Sequence, residues 1–423
     1  MMIKKRLLSR LRTLTVDSYV STKSIQGLLL FFQILGLFLI MARDFANFDR
    51  TKLYFMVGLI SFVYISGKLV QKFTRGDYYI MLIANMLFSI GILEIYRLNN
   101  KMAFRQIIWF CIGIIAFWVV YLILKYIKIW NKIYYFYAGV SYILFIATIL
   151  FGKNINGAKN WIRLGGNFAF QPSELIKIAF VFLIAAFYKN RDKFEKSLLK
   201  RHSLHFFFYT FVGFLFLQKD LGSVLVFSGV FIFAQYMYEP HRKYMIVNFL
   251  ILSFGAILGY ILFTHVKVRV KIWLDPFKYA DGMGYQIIQG FYAIASGGFF
   301  GTGLGLGRPD YIPFAESDYI FASICEEMGI LMGMGVVMLF LILTYRGIKT
   351  SMEQHNKFYK YVAFCLSLIF AFQALIMFGG ILKLIPLTGI TIPFVSYGGS
   401  SILSSFIALG VLQYASEENI IGG

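Results

Sequence analysis

Four ionisable residues sit where an apolar sequence has little use for them. In Ser317-Asp318-Tyr319-Ile320-Phe321, an acid marks the point where a glycine-rich polar stretch gives way to a long apolar run. A carboxylate at such a border is partly desolvated, which raises its proton affinity toward the range of a general base. Asp318 is therefore the candidate catalytic residue. The competing reading is that Asp318 and Glu316 cap the following helix, because acids are favoured in a first turn. In Pro172-Ser173-Glu174-Leu175-Ile176-Lys177, Glu174 and Lys177 lie one helical turn apart and can pair inside hydrocarbon. Asp220 lies at the end of another apolar run, so Glu174, Lys177 and Asp220 form a candidate supporting charge network. That network also has a purely structural reading, as a paired cluster holding two helices together.

Cations gather in two long polar intervals, 152–172 and 266–317. The first holds Lys159, Trp161 and Arg163, and the second Lys267, Arg269 and Arg308. Such groups suit a phosphate or diphosphate at a membrane surface, although an ordinary solvated loop has a similar composition. Between Pro393 and Ser401 an apolar stretch is interrupted by Ser396, Tyr397, Gly398, Gly399 and Ser400. Irregular backbone at membrane depth is tolerated where it is buried in protein or lines a cavity, which makes Ser396 and Ser400 candidate substrate contacts. Nine glycines fall between Gly282 and Gly307 with no following Gly-Lys-Ser/Thr, so a nucleotide loop is not indicated. They are expected to let backbone segments approach one another or a ligand.

These side chains must be positioned by membrane helices. The 423 residues are 59% hydrophobic and 14% charged, outside the range of soluble domains. Apolar runs near the ~20 residues needed to span a bilayer recur at 24–42, 53–70, 78–96, 106–126, 133–151, 173–188, 205–217, 221–238, 244–265, 318–345, 359–382 and 392–414. Twelve transmembrane helices are expected, in an all-α polytopic membrane protein. The formal charge of +21 comes from short Lys/Arg clusters between these runs, the layout of the positive-inside rule and not of a nucleic-acid surface. Their distribution predicts both termini in the cytoplasm and both long loops outside. A single broken helix over 204–238 would reverse everything after it. Lys4, Lys5, Arg6, Arg10 and Arg12 beside a leucine stripe predict an interfacial helix within the tail 1–23. No cleavable signal peptide is visible. Three isolated cysteines and five scattered histidines indicate neither disulfides nor a metal site.

Several motifs, in order, resemble the SEDS family of bacterial cell-wall polymerases, the group of FtsW, RodA and SpoVE. They are Asn156-Gly157-Ala158-Lys159-Asn160-Trp161, Gln171-Pro172-Ser173-Glu174 with Lys177, Gln218-Lys219-Asp220-Leu221-Gly222, Trp273-Leu274-Asp275-Pro276, Gly284-Tyr285-Gln286, Ser296-Gly297-Gly298, Ser317-Asp318-Tyr319-Ile320-Phe321 with Glu326-Glu327-Met328-Gly329, and Pro393 through Ser400. The resemblance implies a ten-helix core over 77–415, preceded by two additional helices in 24–76 and followed by a cytoplasmic tail, 416–423. It implies a peptidoglycan glycosyltransferase in the bacterial cytoplasmic membrane, polymerising lipid II into a glycan strand during elongation, division or sporulation. The implied partner is a class B penicillin-binding protein, with no cofactor required and room for a divalent cation. The family's essential Asp matches Asp318, its Glu/Lys pair matches Glu174 and Lys177, and the Asp of its QPDLG motif matches Asp220. Lys219 stands where Pro is usual, which bears on the break in that helix, and Phe314 stands where many members have Glu. The rival classes are a lipid flippase or transporter, which also uses intramembrane charges and broken helices, and a scaffold without activity.

Overall fold

The computed structural model describes residues 22–43, 50–155, 158–165, 168–282 and 284–421. The tail helix expected around Lys4 to Arg12 lies outside the described residues, as do Asn156 and Gly157. Helices occupy the apolar runs: α1 (Thr22–Arg43), α2 (Arg50–Phe73), α3 (Tyr78–Leu98), α4 (Asn100–Tyr126) and α5 (Tyr134–Phe151) come first. After a small sheet come α6 (Pro172–Lys189), the short α7 (Arg191–Phe194) and α8 (Leu198–Arg201), α9 (Ser203–Leu217), α10 (Leu221–Tyr238) and α11 (Arg242–Leu262). α12 (Thr264–Leu274) and α13 (Tyr285–Gly297) occupy the long loop, and α14 (Ile320–Glu353), α15 (Lys357–Ile381) and α16 (Gly399–Ile421) complete the chain.

Nine of these helices, among the described residues, are long and apolar enough to cross a membrane, against the twelve expected. α6 falls short because Glu174, Lys177 and Lys189 dilute 18 residues, and α9 because it has only 15 residues. α16 is diluted by serines 400, 401, 404 and 405. Its helix also begins seven residues later than the apolar run, beyond the segment that holds Pro393 and Gly398.

The chain is the expected all-α membrane protein, with one small sheet added in its first long loop. The interval 152–172 folds as a three-stranded antiparallel sheet, β1 (Lys153–Ile155), β2 (Ala158–Gly165) and β3 (Phe168–Phe170), in the order β1-β2-β3. Lys153 pairs with Trp161 and Arg163 with Ala169. The Asn-Gly dipeptide at 156–157, between alternating residues, is a hairpin signal that the sequence reading passed over.

α9 and α10 form a hairpin, not one broken helix. The rings of Phe208 and Phe231 stack with centroids 3.9 Å apart, and Gln235 Nε2 lies 2.9 Å from His205 Nε2, so the two helices run antiparallel. Their turn is made by Lys219 at φ 60°, while the Asp220 amide donates to Leu215 O at 3.0 Å. The break therefore persists without the usual proline, because Lys219 takes a left-handed conformation instead.

α14 is likewise not the single long helix expected from 318. Gly329 has φ 82° and ψ 167°, and a Cβ at Gly333 would lie 2.6 Å from Cys325 Sγ. Residues eight apart in a straight helix are roughly 12 Å apart along its axis, so the segment before Gly329 folds back along the one after it. The break needs glycine, since a Cβ at Gly329 would also come within 2.5 Å of the Gly301 amide nitrogen.

α1 and α2 dock on α3 through buried polar contacts, with Gln33 Nε2 donating to Ser89 Oγ at 2.8 Å and Asn85 Nδ2 to Ser66 Oγ at 3.1 Å. Such bonds fix helix neighbours where hydrophobicity cannot discriminate between them.

Candidate active site

Asp318 lies at the bottom of a dip in the chain. Arg97 is in the last turn of α3, and α4 begins directly after Asn99. Gln106, roughly 10 Å further down α4 at 1.5 Å per residue, donates from Nε2 to Ser396 O at 2.9 Å. Ser396 Oγ in turn donates to Ser317 O at 2.7 Å, and the Tyr397 amide to Glu316 O at 2.9 Å. The segment carrying Asp318 therefore sits well below the ends of α3 and α4, pinned by the irregular stretch 382–398. The backbone of that stretch is satisfied by protein, as its depth requires, with Gln106 Oε1 accepting from Gly398 N and Ser396 Oγ from Ile392 N.

Asp318 does not cap the helix. The N-cap of α14 is Tyr319, with no side-chain capping bond. Asp318 is half-buried, and its carboxyl is approached by the Ser317 hydroxyl. Desolvation raises its pKa from 3.8 to about 6, against the opposing effect of nearby Arg269 and with a further push from Glu316. A Cβ at Gly389, which has φ 72°, would lie 3.7 Å from Asp318 Oδ2, so a bare backbone position borders the acid.

Arg269, on α12, donates from Nη1 to the carbonyls of Leu387 and Thr388 at 3.2 and 3.0 Å. Burial lowers its pKa while Asp318 and Asp220 support its charge, which places one guanidinium under the influence of both acids. Trp273 Nε1 ties the same helix to Lys383 O at 2.9 Å. His265 carries an imidazole whose pKa is lowered by burial, then by Arg269 and Lys219, so both cations share its neighbourhood. Lys219 entered the sequence reading only as a missing proline; its charge beside Arg269 is what that reading missed.

The remaining candidates divide. Glu174 and Lys177 pair at 2.7 Å, both buried, and Ser404 Oγ donates to the other Glu174 oxygen at 2.7 Å. Asp220 belongs to a hydrogen-bonded group beside that pair instead. Its carboxylate accepts from Gln171 Nε2, Ser173 Oγ, and both the amide and hydroxyl of Ser223, which caps α10. Lys159, Trp161 and Arg163 alternate along β2 and so share one of its faces, with Lys159 and Arg163 exposed. Lys267 is half-buried on α12. Arg308 sits higher, with its amide on Glu326 Oε1 at 2.7 Å and its guanidinium on Tyr311 OH at 2.9 Å. Ser396 is occupied by the backbone bonds above, whereas the buried Ser400 hydroxyl has no partner.

Two further residues escaped the sequence reading although a signal existed. Glu94 lies inside the apolar run 78–96, and an ionisable residue within a span is by default a functional candidate. Arg97 follows one turn later.

A family model described as cell cycle protein, FtsW/RodA/SpoVE, matches residues 77–420. The peptidoglycan glycosyltransferase RodA of Mycobacterium tuberculosis is 34% identical over 359 residues, covering 78% of this chain and 76% of the relative. Stage V sporulation protein E of Bacillus subtilis is 31% identical over 367 residues, 82% of this chain and 99% of the relative. Among solved structures, 82% of the chain aligns with 98% of a chain from a peptidoglycan synthase complex, with a TM-score of 0.70 and 22% identity. The same share aligns with 98% of RodA from Thermus thermophilus, with a TM-score of 0.62 and 20% identity. The matched residues begin where α3 begins and take in Glu174, Asp220 and Asp318, and on these grounds the chain is a multi-pass membrane protein belonging to the FtsW/RodA/SpoVE family.

Proposed function

We propose that this protein is a peptidoglycan glycosyltransferase that polymerises lipid II at the outer face of the bacterial cytoplasmic membrane. The reading is supported by relatives that carry that activity in their names. The single observation that carries the mechanism is an uncapped acid with a pKa of about 6 at the floor of a protein-lined dip. Asp318 takes the proton from the acceptor sugar's 4-hydroxyl as that oxygen forms a bond to the donor's anomeric carbon. The bond from that carbon to the diphosphate breaks, and the diphosphate leaves on its polyprenyl chain with the electron pair. A base with a pKa near the working pH is efficient in this step, since it is mostly ionised yet still accepts a proton.

Arg269, with Lys219 in its neighbourhood, neutralises the departing diphosphate, Lys267 adds a further cation on the same helix, and the unpartnered Ser400 hydroxyl at the start of α16 is available to a phosphate or sugar oxygen. Lys159, Trp161 and Arg163 present one face of β2 to the glycan. No cofactor enters this scheme, and a divalent cation serves only as a counter-ion to the diphosphate.

In this reading α6, α9 and α16 cross the membrane with the nine longer helices, and both termini face the cytoplasm. The likeness to a peptidoglycan synthase complex favours a class B penicillin-binding protein as the partner that crosslinks the strands. Purified protein given lipid II tests the assignment, with products resolved as glycan strands on a gel. Strands from the parent and none from Asp318→Ala support it; equal strands from both, or lipid flipping in liposomes without strands, overturn it.

A further inference from the structure

Above the dip, a single guanidinium closes a second set of contacts that the proposed chemistry does not use. Arg97 Nη1 lies 2.7 Å from Asp310 Oδ1, its Nη2 donates to Gly307 O at 2.8 Å, and its Nε lies 2.6 Å from Glu327 Oε1. The other oxygen of Glu327 accepts from the Gly305 amide at 2.8 Å. The side chains of Arg97 and Glu327 are 8% and 0% exposed. Glu94, one turn earlier on α3, is fully buried and neither of its carboxyl oxygens has a hydrogen-bond partner.

The order of these contacts along the chain gives them meaning. Gly307 and Asp310 stand on the arm that descends to Asp318, and Glu327 stands on the arm that rises from it. Arg97 belongs to neither arm, and it reaches both from α3. Glu94 lies close by, and the guanidinium is the ion-pair partner of both Asp310 and Glu327, so its loss leaves the Glu327 carboxylate without a counter-charge in a buried place.

We propose that Arg97 is a positioning residue for sugar transfer, holding together the two arms of residues 307–327 and so fixing Asp318 at the floor of the site. The inference rests on Asp318 acting as the base, but the clamp itself can be measured without catalysis. Full-length protein is prepared as parent, Arg97→Gln, Arg97→Lys and Asp310→Asn. Amide hydrogen exchange over 305–319 is followed together with strand synthesis from lipid II across pH.

In Arg97→Gln, exchange over 305–319 accelerates while α15 keeps the parent's protection. The kcat falls by about 30-fold through misplacement of the base, and KM stays within about twofold because the proposed substrate contacts are elsewhere. The acid limb of the pH profile moves down from near 6, since a loosened 305–319 leaves Asp318 less desolvated while Arg269 on α12 and Glu316 on its own loop continue to face it. Arg97→Lys recovers part of the rate, because an ammonium can meet one acid but not both arms at once. Asp310 is 63% exposed, so Asp310→Asn folds and gives a smaller loss, about threefold, of the same sign.

Parent-like exchange in both Arg97→Gln and Asp310→Asn overturns the proposal, whatever product the enzyme makes. So does a lower kcat with an unmoved acid limb and full rescue by lysine, which is the pattern of a charge needed only for folding. If Arg97→Gln cannot be recovered folded, parent-like exchange and kcat in Asp310→Asn overturn it alone. Faster exchange in the variants of a parent that makes no strands removes the proposed activity and leaves the clamp standing.

Discussion

Glu174 and Asp318 are both acids set beside the start of a helix beneath the long loops, and their surroundings could hardly differ more. Glu174 has both oxygens engaged, one by Lys177 and one by Ser404, each at 2.7 Å. Asp318 has the Ser317 hydroxyl, and the guanidinium nearest to it is fastened to the carbonyls of Leu387 and Thr388. A matched buried pair has little reason to exchange a proton, and its value is in holding α6 to α16. An acid that is desolvated but incompletely matched keeps a raised proton affinity, which is what proton transfer from a sugar hydroxyl needs. The difference separates scaffold from chemistry more clearly than residue type does.

The strongest test of that contrast is Asp318→Asn. Strand synthesis should fall by at least about 1,000-fold, the upper part of the range for loss of a general base. Stability should move the other way. The folded pKa of about 6 lies above the ordinary 3.8, so the penalty for holding the charged form is absent below about pH 4 and complete above about pH 6. Asparagine removes that penalty and should add about 1–3 kcal/mol at pH 7.5, read as a higher unfolding temperature than the parent's at that pH and no gain at pH 4. A destabilised Asp318→Asn at pH 7.5 would mean that Asp318 is as fully bonded as Glu174.

Next in size is Lys177→Ala, which leaves a buried carboxylate uncompensated and should cost about 3–5 kcal/mol. The double change Glu174→Gln with Lys177→Met should cost less than the single one, because no charge is left stranded. Thermal unfolding of both variants compares them, and equal losses would deny Glu174 its role as half of a matched pair.

Arg269→Gln should act on the other acid. Arg269 holds the Asp318 pKa down, so its removal should raise the midpoint of the rate profile above about 6. The fractional loss of activity should then be greater at pH 6 than at pH 8. A midpoint that stays put would place Arg269 with the diphosphate alone.

The smallest effect belongs to Lys219. Glycine there relieves a left-handed residue and should stabilise by about 1 kcal/mol, whereas Lys219→Pro should destabilise because proline cannot reach φ 60°. If proline were tolerated, the turn between α9 and α10 would have to re-form in another geometry.

The membrane character, the approximate ends of α1 to α5, and Asp318, Glu174, Lys177 and Asp220 as the residues of interest were legible in the sequence. Each depends on local quantities: apolar run length, turn spacing, and the cost of an ionisable group in hydrocarbon. Tertiary structure alone decided that Ser404 completes the Glu174–Lys177 pair while Asp220 bonds to Gln171 and Ser173 at the start of α6, since these partners lie 230, 49 and 47 residues away along the chain. The fold-back at Gly329 was equally hidden, because its apolar flanks read as one continuous span until Gly301 and Cys325 are brought against them. The same holds for Arg97, whose three contacts lie more than 200 residues away. Hydropathy and spacing report what each segment needs from its surroundings, and only the packed chain settles which neighbour supplies it.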